Sequence, residues 1–297
     1  MVNDKPAALL GPVQIRRLAA ELEVSPTKKL GQKFVHDAGT VRRIAAQARV
    51  GPGDVVLEVG PGLGSLTLAL LETGAKVVAV EIDTRLAGAL PSTVSQMAPN
   101  WASRLSVTNQ DALVLEKSSL TAVPTALVAN LPYNVAVPVL LTALAQFPSI
   151  ASGVVMVQKE VADRLIARPG SRTYGAPTVK LAWYGPAKSA GTVGRKVFWP
   201  EPNVDSALVS FERGPSRRGN DTLREATFRL IDTAFGQRRK MIRSSLKSQF
   251  GSEEATARAL AAASLSGTER PEELTIDQFT SLAQSVVGAA PRDGKNQ

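Results

Sequence analysis

The four residues Asn130-Leu131-Pro132-Tyr133 have the types and spacing to do chemistry. They follow an apolar run, Ala126-Leu127-Val128-Ala129, that reads as the end of a buried strand. An amide side chain, an apolar residue, a proline and an aromatic at a strand end suit transfer of a methyl group to a planar exocyclic or amide nitrogen. Such a nitrogen is a poor nucleophile because its lone pair is delocalised. Acceptors on the Asn130 side chain and the Leu131 carbonyl can hold both N–H bonds and favour a more tetrahedral, reactive nitrogen. Pro132 fixes the backbone that presents the carbonyl, and the Tyr133 ring can stack on a flat substrate. Taken alone, the tetrad also fits a strand that simply ends in a proline turn.

Three other strand ends give it a context. An apolar strand runs into Glu58-Val59-Gly60-Pro61-Gly62-Leu63-Gly64, where glycines permit a tight turn and close backbone approach to a ligand. A dinucleotide fingerprint would place its third glycine at position 65, which is serine, so the spacing is wrong for a pyrophosphate loop. The acid-x-Gly-x-Gly-x-Gly pattern looks instead like the S-adenosylmethionine loop of class I methyltransferases. Glu81 ends the next strand, where an acid can accept both ribose hydroxyl protons. Asp111 follows the third strand, where a carboxylate can receive an adenine amino group. A single acid at a strand end is usually only solvated, but four polar or glycine signals at four successive strand ends describe one crevice.

The elements that must position these residues alternate. Strand-like runs occupy 55–59, 76–82, 105–108, 125–129, 154–157, 178–183 and 207–211, with helical patterns at 37–49, 65–72, from 85 and at 138–146. This predicts an α/β fold with a mostly parallel seven-stranded sheet and helices on both faces. Residues 1–30 read as a partly ordered leader with a short helix at 14–22 and a basic pair, Lys28-Lys29. Residues 31–213 form the cofactor-binding catalytic domain. A Gly/Pro/Ser linker opens 214–297, a small all-helical domain with helices at 222–250, 252–263 and 276–287 and a frayed tail from Pro291. In a continuous helix from Phe235 to Phe250, Arg239, Arg243 and Lys247 recur every four residues with no interleaved acid. Arg238 and Lys240 add to this stripe, which would track RNA phosphates.

Composition narrows the chemistry further. The 297 residues include no cysteine, which removes disulfides and thiolate metal sites, and one histidine, His36, which makes a His-based metal centre implausible. No metal is expected. Net charge is +9, favouring a polyanion such as nucleic acid. No run is long and apolar enough to span a bilayer and no signal peptide is visible, so a cytoplasmic protein is expected.

The chain resembles the small-subunit ribosomal RNA adenine dimethyltransferases, with the macrolide-resistance large-subunit RNA methyltransferases as relatives. The matching segments are 30–35, 58–64, 130–134, 157–161 (Val-Gln-Lys-Glu-Val), 197–200 (Val-Phe-Trp-Pro), 204–207 (Val-Asp-Ser-Ala) and 235–240 (Phe-Gly-Gln-Arg-Arg-Lys). The resemblance implies a Rossmann-like class I methyltransferase domain. It implies that Gln32 to Val35 closes over S-adenosylmethionine, and that Gly60 with the Gly62 loop, Glu81, Asp111 and Asn130 contact it. Tyr133 and Phe198 would sandwich the adenine. Lys33 stands where the family usually has asparagine, placed either to pair with the cofactor carboxylate or to face RNA. The implied reaction is N6-dimethylation of two adjacent adenosines in the 3′-terminal hairpin of 16S rRNA, by a monomer acting on an immature small subunit. The alternatives are a 23S rRNA adenine methyltransferase and a mainly non-catalytic ribosome-assembly factor.

Overall fold

The computed structural model describes residues 7–24, 32–216 and 218–289. The Lys28-Lys29 pair, Leu30-Gly31 of the first matching segment and the tail from Pro291 lie outside them. The chain divides into two compact units, one formed by Met1–Ala162 and Ala187–Arg213 and the other by Asp163–Pro186 and Gly214–Gln297.

Among its described residues the first unit has nine strands: β1 (Phe34–Val35), β2 (Val55–Val59), β3 (Lys76–Glu81), β4 (Leu105–Asn109), β5 (Ala126–Asn130), β6 (Ser152–Gln158), β7 (Ala187–Val193), β8 (Phe198–Trp199) and β9 (Ser206–Glu212). Seven of them form one sheet in the order β4-β3-β2-β5-β6-β9-β7. The pairs from β4 through β6 are parallel, and β9 and β7 are antiparallel additions. Runs such as Val56-Leu57 and Leu127-Val128-Ala129 are buried throughout, as strands covered on both faces require. The strand order reverses at β2, with β3 on one side and β5 on the other. The crevice beyond the carboxyl ends of these strands is where ligands sit in open α/β sheets.

Helices α1 (Pro12–Glu21), α2 (Ala38–Ala48), α3 (Ser65–Glu72), α4 (Thr84–Met97) and α5 (Ala136–Gln146) accompany the sheet. Pro12 starts α1 at the first turn, where its missing N–H costs nothing. Ile15 and Ala19 of α1, with Ala7, Leu10 and Val24, join the main core, and Arg85 donates to the Glu23 carbonyl (2.8 Å). The Asp37 carboxylate caps α2 by accepting from the Thr40 N–H (2.6 Å). No helix among the described residues is long and apolar enough to cross a membrane.

Two sequence expectations need correction. Residues 178–183 are not a strand: they lie in α7 (Ala176–Tyr184), which follows α6 (Lys159–Leu165). Pro177 sits in its first turn and the Thr178 hydroxyl accepts from the Gly175 N–H (3.2 Å), two helix-start features. Burial of Val179, Leu181 and Trp183 gave the misleading two-residue period. The seventh strand is β7, an exposed edge strand of small and polar residues with a register shift between Ser189 and Thr192. Its partial exposure removes the apolar signal a central strand carries.

The second correction concerns the second unit. The helix expected through Phe250 stops at Gly236, the end of α8 (Asp221–Gly236). A turn follows, closed by the Lys240 N–H on the Gln237 carbonyl (2.8 Å), and Met241 is extended. Short helices α9 (Ile242–Ser245) and α10 (Lys247–Phe250) then precede α11 (Glu253–Ala262) and α12 (Ile276–Ala289). Trp183 and Tyr184 meet the Phe228 ring edge-on, and Phe235 lies between Tyr174 and Phe279, so this core draws on both chain segments of the unit.

Candidate active site

A cavity opens at the carboxyl ends of the parallel strands, with Gly60, Gly62, Glu81, Asp111 and Asn130 in its wall. β2 passes into the glycine loop, where Gly60, Gly62 and Gly64 have φ of +69°, +57° and +96°, a region L-side chains avoid. A Cβ on Gly62 would lie 2.9 Å from Cε1 of Phe34, so the loop fits directly against the first strand's ring.

Glu81 ties this loop to the next strand end. One carboxylate oxygen accepts from the Gly62 N–H (3.1 Å) and the other from the Asp83 N–H (3.0 Å). Burial raises the Glu81 pKa, while these backbone donors oppose that rise and Asp83 adds to it. Each oxygen retains a lone pair, so the carboxylate can still accept from a vicinal diol. Asn109, which carries no such signal in the sequence, braces the turn: its amide donates to the Glu81 (2.8 Å) and Ile82 (3.2 Å) carbonyls. Asp111 also lines the cavity, and its Oδ1 accepts from the Leu113 N–H (2.9 Å). Ile82 and Leu113, 52% and 37% exposed, also line the cavity, and their apolar surface suits a flat heterocycle.

Asn130 ends β5 opposite the glycine loop. Its Nδ2 donates to the Lys33 carbonyl (3.0 Å), and its Oδ1 is buried with no partner among the described residues. A buried carbonyl oxygen without a donor costs free energy, and here it lies at a cavity wall where a ligand N–H can complete it. Lys33 thus enters the site through its main chain. Pro132 packs over the glycine loop, with Cδ 3.7 Å from where a Gly60 Cβ would be. Leu131 and Tyr133 also line the cavity, so the tetrad and the loop face one space. The Tyr133 and Ser206 hydroxyls are 2.6 Å apart.

Val35 lines the cavity as expected, but Phe198 does not. β1 and β8 pair so that Val35 faces Phe198 and Phe34 faces Trp199. This register buries the Phe198 side chain, 3% exposed, in the main core. Phe34, stacked on Trp199 at 6.3 Å and 21°, is the ring that reaches the cavity from this strand pair.

Glu58, in the middle of the site, received no role from the sequence. It is 1% exposed, lines the cavity and accepts from the Thr67 hydroxyl (2.7 Å). Burial, reinforced by Glu81 and opposed by Thr67, pushes its pKa from an ordinary 4.5 to about 8.

The basic stripe is not one helix face. Arg238 bonds the Arg172 carbonyl (3.1 Å) and pairs with Glu272, and Lys247 pairs with Glu253. Arg239 and Lys240 on the turn and Arg243 on α9 are exposed and have no ion pair among the described residues.

Replacing Glu81 with alanine should weaken S-adenosylmethionine by roughly 10- to 100-fold in calorimetry, because two aligned hydrogen bonds to a charged acceptor are lost. An unchanged affinity would remove Glu81 from the cofactor site.

A family model described as ribosomal RNA adenine dimethylase matches residues 25–286. The chain is 58% identical to ribosomal RNA small subunit methyltransferase A of Leifsonia xyli, covering 93% of this chain and 98% of that protein. It is 55% identical to the protein of the same name from Streptomyces griseus, covering 96% and 97%. Among solved structures it is similar to the 23S rRNA methyltransferase ErmE, with TM-score 0.62 and 27% identity over 86% of this chain and 99% of that one. A dimethyladenosine transferase from Plasmodium falciparum shares the fold, with TM-score 0.71 and 22% identity over 84% and 95% of the two chains. With the glycine loop, a strand-end acid and the amide-bearing strand end in one cavity, this chain belongs to the ribosomal RNA adenine dimethylase family.

Proposed function

We propose that this enzyme dimethylates N6 of two adjacent adenosines in the 3′-terminal hairpin of 16S rRNA, acting in the cytoplasm as a monomer on an immature small subunit and without a metal. The observation that carries the chemistry is the buried, partnerless Oδ1 of Asn130 at the cavity wall. The small-subunit branch is favoured over the large-subunit one by identity, 58% against 27% for the relatives named above.

The residues fit S-adenosylmethionine, which supplies an activated methyl group when bound. Glu81 would hold the ribose, Asp111 with Ile82 and Leu113 the adenine, and the Gly60 loop would bring backbone close to the methionine portion. Asn130 Oδ1 and the Leu131 carbonyl would accept the two N–H bonds of the target amine, drawing its lone pair out of conjugation. Placing that nitrogen correctly can remove roughly 7–11 kcal/mol of barrier. No histidine lines the cavity; the methylated nitrogen is positively charged and acidic, so its proton can pass to solvent after transfer and the site's own contribution is to position and polarise the amine. Extruding the adenosine costs a few kcal/mol, and stacking on the Tyr133 ring returns about 1–3 kcal/mol.

Incubating undermethylated ribosomes with the enzyme and deuterium-labelled cofactor, then mapping label by mass spectrometry, tests the assignment. Label on two neighbouring adenosines near the 16S 3′ end is expected. Label on 23S rRNA would move the enzyme to the large-subunit branch, and none at all would favour the assembly-factor reading.

Arg239, Lys240 and Arg243 are proposed to contact RNA phosphates. Replacing all three with glutamine should reduce the slope of log K against log salt by roughly 2–3. An unchanged slope returns them to a solvated surface.

A further inference from the structure

We propose that Ser206 is a positioning residue that fixes the Tyr133 ring as the stacking platform for the target base. This rests on the methyl-transfer reading above. Ser206 is fully buried at the first position of β9, where it pairs with Gln158 of β6 and Val193 of β7. The Lys159 N–H bonds the carbonyl of the preceding Asp205 (2.9 Å), which anchors the strand entry as well. With strands on both sides, the Ser206 hydroxyl is a fixed point.

Tyr133, in contrast, lies in the turn after β5 and is only partly buried. Its ring has no stacking neighbour among the described aromatic pairs. Among the described residues, the one hydrogen bond of its side chain is the 2.6 Å contact to Ser206, near the short end of the O–H···O range. Ser206 thus restrains the far end of the ring while the backbone of the Asn130 turn restrains the near end. A ring held at both ends presents its face to the cavity without the entropy cost of ordering it at each encounter. The segment Val204-Asp205-Ser206-Ala207 stands out in the sequence without an assigned task, and this contact gives it one.

The chain has three tyrosines, so protein with ring-labelled tyrosine gives resolvable carbon relaxation signals for Tyr133 beside Tyr174 and Tyr184. In Ser206→Ala and in Tyr133→Phe, kcat on undermethylated small subunits should fall about 10-fold, with KM for cofactor within twofold of wild type. The double variant should be no slower than either single one. The order parameter of the Tyr133 ring should drop in Ser206→Ala while those of Tyr174 and Tyr184 hold. Multiplying losses in the double variant, or a Tyr133 ring equally ordered without the serine hydroxyl, would overturn the proposal. Tyr133→Ala separates this failure from a deeper one: it should lose at least 100-fold, and full activity there would reject the stacking reading itself.

Discussion

In Asn130→Ala, methyl transfer should fall by roughly 10²–10³-fold, about 2.7–4 kcal/mol of transition-state stabilisation, while S-adenosylmethionine affinity changes only a few-fold. The amide has two separable jobs. Its Nδ2 holds the Lys33 carbonyl, and its Oδ1, without a partner among the described residues, is the acceptor proposed for the target amine. Alanine removes both. Aspartate keeps an acceptor at the same place but loses the donor, and so isolates the Lys33 link. If acceptance of an N–H bond dominates, Asn130→Asp retains more activity than Asn130→Ala and loses part of its cofactor affinity as the Gln32–Val35 segment loosens. Single-turnover rates with saturating cofactor read the first effect and calorimetry the second. An alanine variant with wild-type turnover would dismantle the amine clamp. Aspartate and alanine variants with equal turnover would make the Lys33 link the larger contribution.

The second large effect concerns Glu58 and pH. Its folded-state pKa is raised to about 8 from 4.5 by burial. Between those values the folded protein holds a proton that the unfolded chain releases, so stability is fully present below about pH 4.5 and is lost as pH rises through 8. Glu81 is raised for the same reason and adds a slope of the same sign. Ionising Glu58 in place costs on the order of 5 kcal/mol. Glu58→Gln keeps the shape and an acceptor for Thr67 without that cost. The variant and the parent should melt together near pH 5, and at pH 9 the variant's first unit should melt roughly 10 °C higher. Calorimetric scans at the two pH values make the comparison. Coincident transitions at pH 9 would mean that Glu58 is solvated or compensated. Because the cofactor is a cation at its sulfonium, ionised Glu58 should favour it, so its affinity should rise as pH passes through about 8.

The parallel strands were legible because β2, β3, β5 and β6 carry runs of apolar residues and β4 an alternating Leu-Ser-Val-Thr pattern, each followed by a polar or glycine signal that marks the ligand side of the sheet. Glu81, Asp111 and Asn130 could therefore be placed from one-dimensional information. β7 escaped because an edge strand needs no continuous apolar face, and α7 was misread because burial on several sides erased its helical period. Extending α8 through Gly236 followed intrinsic helix preference, which a turn with its own hydrogen bonds overrode. What the sequence could not carry was contact between distant segments. The Asn130–Lys33 bond spans 97 positions and the Tyr133–Ser206 bond 73. The register of β1 on β8, which turns Phe198 inward and leaves Phe34 at the cavity, is likewise a property of pairing.

The division of the chain also orders its birth. A polypeptide emerges from its N-terminus, and domains generally fold as they appear. The sheet has its last strand once Glu212 is made, yet α7, threaded between β6 and β7, belongs to the other unit. Trp183 and Tyr184 have no Phe228 to pack against until α8 follows, and Phe235 no Phe279 until α12. Until α8 is made, and in any chain cut at residue 213, the segment 163–186 lacks the Phe228 and Phe235 rings that its Trp183, Tyr184 and Tyr174 side chains meet. The nascent protein therefore passes through a stage in which every strand of the sheet has been made while the insert between β6 and β7 still awaits the rest of its own unit.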